Sequence, residues 1–492
     1  MKFISTRGDA RKVNSAYAIT HGIAPDGGLY VPESFPCVTP QEITQLIEMD
    51  YSERAAVILS KFLTDYNYNN LLAACKKAYS VFEEDVVPLV KIEKGFYILE
   101  LFHGPTHAFK DVALQILPYL LRTGADMSGI KENILILTAT SGDTGKAALE
   151  GFKNAKGVKI QVFYPSEGVS FMQKLQMAAQ EGDNVKVVAV SGNFDDCQSA
   201  VKNIFASKEI KQELKAKNII LSSANSINFG RLAPQIAYYF SAYCDLVSGR
   251  QIKPNDTVNF IVPTGNFGNI LAGYYAKRMG LPVNKLICAS NSNNVLSEFF
   301  NTGVYNSDRK FCKTTSPSMD ILVSSNLERL IFETSDKNPE LTKQRMAELA
   351  ANKTYSITKA ERLALAEDFY ANWSNEDDGI EAAYDFFEKY NYPFDPHTSV
   401  GLSVYNAYKK QAEDKHAAVI LATANPYKFP QEVLYAISGD DASDDFKACK
   451  KLFNLTAMPV PQSIIKLKEK ALRFKEVSEK DNIWQTIKEF ID

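Results

Sequence analysis

A strand, a loop and a helix alternate several times in the middle of the chain, and this alternation constrains the fold more than any other feature. In the first series the predicted elements are strands at residues 134–139, 158–164 and 185–190 and helices near 170–181 and 195–207. Apolar strand runs separated by helical segments are typical of β-α-β units, whose strands pair in parallel. The sequence therefore predicts an α/β fold with parallel sheet.

A second series begins near residue 217 and repeats the pattern. Its predicted strands are residues 219–221, 257–262, 286–289 and the late buried run 417–422, and its predicted helices are 229–247, 267–279 and 293–301. This series extends the prediction of parallel sheet over most of the chain.

The remaining segments are less regular. Residues 24–32 are rich in Pro and Gly and are predicted to be irregular, whereas residues 340–392 predict a mostly helical insertion or cover with a solvated face. Amphipathic helices are predicted at 41–49, 51–62, 463–473 and 480–491.

Charge and cysteine content exclude several functional classes. With a net charge of −3 over 492 residues, the chain has no electrostatic footprint for nucleic acid or for an anionic membrane. Its seven dispersed cysteines form no C-x-x-C pair, which suits buried thiols in a reducing compartment. No apolar run approaches membrane-spanning length, and the first residues contain no signal core. We therefore expect a cytoplasmic protein.

Lys110 lies where a strand pattern ends and a helical pattern starts. The apolar run at residues 96–101 predicts a strand, and Gly104 and Pro105 force a turn before the helix. The positive end of a helix dipole disfavours an ammonium group and favours a neutral amine. A neutral amine can attack a carbonyl and form a Schiff base. The alternative is a surface lysine whose stem covers apolar groups.

In open parallel sheets, ligands bind at the carboxyl ends of the strands, and four loops of this chain follow such ends. The first loop consists of Thr140, Ser141, Gly142, Asp143 and Thr144. Its hydroxyl groups and glycine at a helix start offer donors to a carboxylate or a phosphate, or they simply cap the helix. The glycine spacing excludes an NTPase phosphate loop.

The second loop follows the strand at 257–262. Its residues are Gly265, Asn266, Phe267, Gly268 and Asn269. Two glycines bracket a tight turn that opens a helix, where backbone N–H groups converge and the helix dipole adds positive potential. The loop contains no Lys or Arg, so largely neutral donors would hold a phosphate there. Glycines that only permit a sharp turn are the alternative.

The third and fourth loops add an arginine and a threonine. Ser226 and Asn228 precede Arg231 at a helix start, which predicts either an anion clamp or a capped helix with an arginine paired to an acid. Thr423 follows the strand at 417–422, where its hydroxyl can face a ligand or bond to its own backbone.

Metal and hydrolase sites are not predicted. His103 and His107 have i, i+4 spacing, but Gly104 and Pro105 oppose a helix between them, and the five histidines form no ligand cluster. No Gly-x-Ser-x-Gly elbow stands out.

Taken in order, these motifs resemble the threonine synthase family. The resemblance is carried by His103-Gly104-Pro105-Thr106-His107-Ala108-Phe109-Lys110-Asp111, by residues 140–145, 265–269 and 422–429, by Asn225-Ser226-Ile227-Asn228 with Arg231, and by Ser5-Thr6-Arg7-Gly8 with residues 26–30. Because the chain begins at the family's first motif, we expect the shorter microbial type. That type lacks the N-terminal extension that binds S-adenosylmethionine in plant-type enzymes.

The resemblance implies a fold-type II pyridoxal-phosphate enzyme of the tryptophan-synthase-β group. Two open parallel-sheet α/β domains would enclose the cofactor in a cleft, with an N-terminal segment and a helical insertion. We expect an N-terminal domain at residues 1–95 and a smaller α/β domain with the lysine segment at 96–215. The larger cofactor-binding domain is expected at 216–492, with its insertion at about 335–395.

The implied reaction is that of a lyase. O-phospho-L-homoserine and water would give L-threonine and phosphate by γ-elimination and β-addition, the last step of threonine biosynthesis. No nucleic-acid or membrane partner is expected, and the chain would be a monomer or a homodimer.

The resemblance also implies residue roles. Lys110 would hold pyridoxal 5'-phosphate as a Schiff base and move protons, residues 265–269 would cradle the cofactor phosphate, and Thr423 would face the pyridine nitrogen. Residues 140–144 would bind the substrate carboxylate, and Arg231 with Ser226 or Asn228 would hold the substrate phosphate. These last two sets constitute the predicted substrate site.

Two rival functions stay open. A threonine-synthase-like phospholyase would release 2-oxobutyrate from the same substrate, because the outcome depends on whether water adds at Cβ. A catalytically inert binding protein on the same fold is the other rival, and Lys110 together with the glycine loop argues against it. Product analysis separates the first rival, and the absence of visible absorbance with pyridoxal phosphate would identify the second.

Overall fold

The computed structural model describes residues 1–492 except positions 84, 141, 167, 168 and 193 and the side chains of 194 and 195. Its strands are β1 (Phe3–Ser5), β2 (Tyr30–Pro32), β3 (Leu89–Glu93), β4 (Phe96–Glu100), β5 (Asn133–Ala139), β6 (Val158–Pro165), β7 (Val185–Val190), β8 (Ile219–Ser222), β9 (Val258–Pro263), β10 (Val283–Ser290), β11 (Val304–Asn306), β12 (Thr354–Ser356), β13 (Phe369–Trp373), β14 (Ala417–Ala422) and β15 (Val477–Ser478).

Helices cover most of the remaining chain. They are α1 (Ser15–His21), α2 (Pro40–Ile47), α3 (Tyr51–Phe62), α4 (Tyr68–Tyr79), α5 (Lys110–Leu114), α6 (Leu117–Met127), α7 (Asp143–Phe152), α8 (Phe171–Ala178), α9 (Phe194–Ala206), α10 (Lys208–Ala216), α11 (Phe229–Ser248), α12 (Gly268–Arg278), α13 (Val295–Thr302), α14 (Leu327–Thr334), α15 (Pro339–Asn352), α16 (Lys359–Asp368), α17 (Glu376–Tyr390), α18 (Pro396–Gln411), α19 (Pro430–Ser438), α20 (Asp445–Thr456), α21 (Gln462–Leu467) and α22 (Ile483–Ile491). Short 3₁₀ helices span Pro317–Met319, Pro426–Lys428 and Lys480–Asn482.

The larger sheet has the strand order β13-β10-β9-β14-β4-β3. Its neighbours are parallel except for the antiparallel edge pair of β3 and β4. Strand β14 lies in the interior of the sheet, where Ile420 is in register with Ile98 of β4 and with Ile261 of β9. Both faces of this strand are covered, which explains its uninterrupted apolar sequence.

The smaller sheet has the order β15-β7-β6-β5-β8, and all of its strands are parallel. The predicted strands at 134–139, 158–164 and 185–190 are present as β5, β6 and β7. Two open parallel-sheet layers with helices on their faces confirm the predicted fold class.

Two strands do not lie in the sheet that their position in the chain suggests. Strand β4, which precedes the first series, pairs with β14 in the larger sheet. Strand β8, which opens the second series, pairs with β5 in the smaller sheet. The predicted domain ranges 96–215 and 216–492 therefore do not coincide with the two sheets, because periodicity identifies a strand but not its partner.

The segment expected to be a helical insertion also needs correction. Helices α15, α16 and α17 are present, but β13 lies between α16 and α17 and forms an edge of the larger sheet beside β10. The first four of its five residues alternate between buried and partly exposed positions, a pattern too short to stand out between helices. Strand β2 likewise lies within residues 24–32, a stretch expected to be irregular, and it pairs with β1.

Helix α11 forms the centre of the core. Seventeen of its 20 residues are buried, including Pro234 in its interior. It packs against α2 and α3 from the N-terminal segment and against α12 from the larger sheet, so that one apolar cluster joins these parts. None of the helices in the described part of the chain has the length and apolar character needed to cross a bilayer.

Candidate active site

A cavity of about 1170 Å³ opens where the carboxyl ends of β5, β8, β9 and β14 meet the lysine segment that follows β4. Its wall includes Lys110, Thr140, Asp143, Thr144, Ser226, Arg231, Gly265, Asn266, Phe267, Gly268, Asn269, Ser318, His397 and Thr423. Five loops from distant parts of the chain thus share one cavity, as expected for ligand binding at strand ends.

Lys110 is buried at the first position of α5. Its Nζ lies 3.4 Å from Ser318 Oγ and 3.6 Å from Asp143 Oδ2. Burial lowers the pKa of Lys110, and the charges of Lys428 and Arg231 lower it further against the opposing effect of Asp143. The neutral amine inferred from the helix dipole is therefore favoured chiefly by desolvation.

Asp143 lies between two lysines. Lys428 Nζ donates to Asp143 Oδ1 at 2.8 Å and to the carbonyl oxygen of Thr106 at 2.8 Å, and Gln173 Nε2 also donates to Asp143 Oδ1. Burial alone would raise the pKa of Asp143, but the charges of Lys428 and Lys110 outweigh it and hold the pKa well below its usual range. An ionised carboxylate repels another, so Asp143 suits the orientation of Lys110 better than contact with a substrate carboxylate.

The rest of the first loop is held by its own backbone. Thr140 Oγ1 accepts hydrogen bonds from the N–H groups of Gly142 and Gly145, both at 3.0 Å. Thr140 and Thr144 lie on the cavity wall, whereas Gly142 lies behind it with a positive φ of 149°. The predicted contact at Ser141 falls outside the described residues.

The glycine loop between β9 and α12 has the geometry of an anion cradle. A Cβ atom on Gly265 would lie 2.6 Å from the carbonyl oxygen of Ser318, so only glycine permits this approach. Phe267 has a left-handed φ of 64°, and no side chain in the described part of the chain caps the start of α12. Asn269 Oδ1 accepts from two tyrosine hydroxyls, while its buried Nδ2 has no partner among the described residues. Uncapped N–H groups and a free amide are donors for a phosphate.

Arg231 is a buried cation with no acid beside it in the described structure. Its Nη1 donates to the carbonyl oxygen of Ala224 at 2.7 Å, but its buried Nε has no partner among the described residues. Burial lowers the pKa of Arg231 to about 10, so the group stays charged at neutral pH. A desolvated guanidinium on a cavity wall calls for an anionic ligand.

The third loop supplies one of its two predicted polar residues. Ser226 lies on the cavity wall, with its Oγ 3.3 Å from Ser325 Oγ. Asn228 does not reach the cavity. It caps α11 by accepting from the Gly230 N–H, and its Nδ2 donates to the carbonyl oxygens of Ile19 and Ser223. Both amide hydrogens are used, which corrects its expected role in phosphate binding.

Thr423 presents an unused hydroxyl. Its N–H donates to Thr398 Oγ1 at 3.2 Å, and its carbonyl oxygen accepts from the Phe109 N–H at 2.9 Å. These bonds fix its backbone beside the lysine segment. No hydrogen bond to Thr423 Oγ1 is present within the described residues, so the hydroxyl is available to a ligand.

Three residues near Lys110 were missed from the sequence: Ser318, His397 and Asp395. Ser318 lies in the 3₁₀ helix Pro317–Met319, and its N–H donates to His397 Nε2 at 3.1 Å. Asp395 is the N-cap of α18 and accepts from His397 Nδ1 at 2.8 Å. An Asp-Pro-His sequence has the pattern of a helix start, with Asp as the N-cap and Pro at the first helical position, and this signal could have found two of them.

Family models match nearly the whole chain. They describe the threonine synthase N terminus at residues 2–79, a pyridoxal-phosphate dependent enzyme at 84–424 and the threonine synthase C-terminal region at 398–491. The threonine synthase of Pseudomonas aeruginosa is 38% identical over 88% of this chain and 90% of its own length. The chain belongs to the threonine synthase family.

Further relatives agree with this family membership. The threonine synthase of Saccharomyces cerevisiae is 36% identical over 88% of this chain and 89% of its own length. The PLP-bound threonine synthase of Brucella melitensis superposes with a TM-score of 0.88 at 36% identity, covering 100% of this chain and 98% of that chain. Human threonine synthase-like 1 is 40% identical over 88% of this chain, which spans only 60% of that protein's length.

The threonine synthase family consists of pyridoxal-phosphate-dependent lyases, so the expected cofactor and enzyme class are confirmed. The cavity fits this cofactor. Lys110 offers an amine of lowered pKa, the loop at Gly265 offers uncapped backbone donors and Thr423 offers a free hydroxyl. Asn269 Nδ2 lacks any partner in the described structure, which suits a phosphate oxygen.

Proposed function

We propose that this chain converts O-phospho-L-homoserine and water into L-threonine and phosphate. The observation that carries the proposal is Arg231, whose charged, buried Nε has no partner in the described structure, on the wall of the cavity that also contains the glycine loop. One anion site is accounted for by the cofactor phosphate. A second, cationic site in the same cavity supports a substrate that carries its own phosphate.

Each cavity residue then has a task. Pyridoxal phosphate, when bound, supplies the ring that accepts electron density from the substrate carbons. Lys110 Nζ takes and returns protons at Cα and Cβ, with Asp143 held beside it by Lys428. Water adds at Cβ after the phosphate has left. The hydroxyl of Thr423 would face the ring nitrogen without the full negative charge that an aspartate would bring.

Two groups of cavity residues would orient the substrate. Arg231 and Ser226 would hold the leaving phosphate, while Thr140 and Thr144 would receive the carboxylate. A phosphate site and a carboxylate site in one cavity suit an amino acid that carries both groups. A cytoplasmic monomer or homodimer, with no nucleic-acid partner, belongs to the same proposal.

Human threonine synthase-like 1 is among the most similar relatives. The phospholyase alternative is therefore tested in the same experiment as the proposed reaction. Purified protein loaded with pyridoxal phosphate is incubated with O-phospho-L-homoserine, and threonine, 2-oxobutyrate and phosphate are measured together. Threonine and phosphate in equal amounts support the proposal. Phosphate with 2-oxobutyrate and no threonine replaces it by the phospholyase.

Lys110→Ala serves as the inactive reference. It should lose the visible absorbance of the bound cofactor and all turnover, because no other described lysine lies on the wall beside the glycine loop and Thr423. Lys202→Ala is the matched control, since Lys202 is an exposed lysine at the outer rim of the same cavity. If Lys110→Ala keeps wild-type absorbance and activity, the central assignment is wrong.

A further inference from the structure

We propose that the Ser318 hydroxyl is a further catalytic group, which orients the Lys110 amine during its proton transfers, and that His397 and Asp395 are the positioning residues behind it. The inference rests on the proposed function and deepens it. Ser318 Oγ lies 3.4 Å from Lys110 Nζ and 3.5 Å from Asp143 Oδ2. Among the described residues, Ser318 and Asp143 are the side-chain oxygens within reach of this amine.

The Ser318 backbone is packed tightly against the cofactor side of the cavity. Its carbonyl oxygen approaches the glycine loop so closely that a Cβ on Gly265 would lie 2.6 Å away. Ser318 therefore borders the lysine through its hydroxyl and the proposed cradle for the cofactor phosphate through its backbone. A small movement of this turn would separate Ser318 from Lys110, so the turn requires an anchor.

His397 provides that anchor. The Ser318 N–H donates to His397 Nε2 at 3.1 Å, and His397 Nδ1 lies 2.8 Å from Asp395 Oδ1. Nε2 must be an acceptor, so the ring carries its proton on Nδ1 and donates it to Asp395. A buried carboxylate that fixes both tautomer and ring orientation is the arrangement by which an imidazole positions a neighbour.

Asp395 is also linked to Thr423 through Thr398. Its Oδ2 accepts from Thr398 Oγ1, and Thr398 Oγ1 accepts in turn from the Thr423 N–H at 3.2 Å. One buried carboxylate thus stands behind both Ser318 and Thr423. The anchoring residues belong to the start of helix α18, which carries none of the predicted motifs. Their hydrogen bonds order two groups that face the reaction.

The role of the Ser318 hydroxyl follows from the path of the proton. When the Cα–H bond breaks, its electron pair stays with the substrate carbon, and the proton forms a new N–H bond at Lys110 Nζ. The resulting ammonium has three N–H groups. Ser318 Oγ and Asp143 Oδ2 accept two of them, which leaves the third directed at the substrate carbon for return of the proton.

The test follows proton transfer by a readout that needs no phosphorylated substrate. L-2-aminobutyrate has the carbon length of threonine and no leaving group, so exchange of its Cα hydrogen for deuterium in D₂O reports Lys110 alone. Ser318→Ala holoenzyme should exchange about ten- to a hundredfold more slowly than wild type, the range for loss of a hydrogen bond to a charged group. Ser318→Thr keeps a hydroxyl and should restore part of the rate.

Two measurements separate a catalytic from a structural role. Cofactor occupancy, read from visible absorbance, should be unchanged in Ser318→Ala. The control is Ser292, a half-buried serine away from the cavity wall, and its variant Ser292→Ala should exchange at the wild-type rate.

The tautomer of His397 is checked separately. In ¹⁵N NMR of the apo protein, His397 should show an unprotonated Nε2.

The positioning role predicts non-additivity. His397→Asn should slow exchange in the same direction as Ser318→Ala, and the double variant should be no slower than Ser318→Ala, because His397 acts through Ser318. Exchange within twofold of wild type in Ser318→Ala overturns the inference, as do additive effects in the double variant. A wild type that exchanges but releases no phosphate from O-phosphohomoserine refutes the proposed function alone. A wild type that releases phosphate but does not exchange refutes the inference alone, and one that does neither refutes both.

Discussion

Lys428 is the residue whose replacement tests the electrostatics of the cavity most directly. Its side chain is fully buried, and its Nζ donates at 2.8 Å both to Asp143 Oδ1 and to the carbonyl oxygen of Thr106 in the lysine segment. One ammonium thus ties the start of α7 to the turn that precedes Lys110. Lys428→Met keeps the length of the side chain and removes only its charge and donors.

The expected loss of stability is large. Breaking a buried ion pair on one side leaves an uncompensated charge, at a cost of about 3–5 kcal/mol. The pKa of Asp143 is depressed in the folded protein, so the stability it contributes is present above its unfolded pKa, about 3.9, and is lost as the pH falls below that value. The difference between wild type and Lys428→Met in urea unfolding should therefore be full at pH 7 and shrink below pH 4.

The same replacement should alter Lys110. The positive charge of Lys428 lowers the pKa of Lys110 in the wild type, and its removal also takes away a cation that competes with Lys110 for Asp143. Both effects raise the pKa of Lys110, so less neutral amine is present at pH 7. Capture of pyridoxal phosphate by the apo protein, followed as the gain of visible absorbance, should be slowed at pH 7 and should recover towards pH 9.

Lys146→Met is the matched control. Lys146 is a largely buried lysine of α7 paired with Glu150 at 2.9 Å, but it does not line the cavity. It should lose stability without moving the pH dependence of cofactor capture. If Lys428→Met changes stability by less than about 1 kcal/mol and captures cofactor with the wild-type pH profile, the electrostatic reasoning about Asp143 and Lys110 is refuted.

Three further replacements test single contacts. Arg231→Ala should lower kcat/KM for O-phosphohomoserine about ten- to a hundredfold, since a charge-assisted hydrogen bond contributes about 1.5–3 kcal/mol. Spectral titration with L-2-aminobutyrate should stay unchanged. Loss of cofactor instead would assign Arg231 to the cofactor site or to the structure. Thr423→Asp should change the visible spectrum and raise the 2-oxobutyrate fraction, because a carboxylate would stabilise the protonated form of the ring nitrogen. An unaltered spectrum would show that Thr423 does not contact the ring. Gly265→Ala should destabilise the apo protein by about 1–3 kcal/mol, because its Cβ would lie 2.6 Å from the carbonyl oxygen of Ser318. Gly268→Ala should not, because its nearest neighbour would be Asn326 Nδ2 at 3.5 Å. Equal urea midpoints for the two variants would contradict the close approach at Gly265.

The sequence by itself determined most of the strands of the two large sheets and the positions of the loops that follow them. Short continuous apolar runs such as residues 134–139, when bounded by turn residues, favour a covered strand, and glycine-rich or hydroxyl-rich turns after them mark strand ends. Since parallel strands gather their carboxyl ends at one edge, the common location of Lys110, Gly265 and Thr423 follows from the order of strands and loops along the chain.

Contacts between distant residues could not be read in this way. Nothing local distinguishes Asn228, which caps α11, from a ligand-binding amide, and nothing local brings Ser318 to Lys110 across 208 positions. The same holds for β4, whose partner β14 lies more than 300 residues later in the chain. Periodicity reports which face of a segment is buried, but partner choice depends on how all segments pack together, and only the tertiary structure decided it.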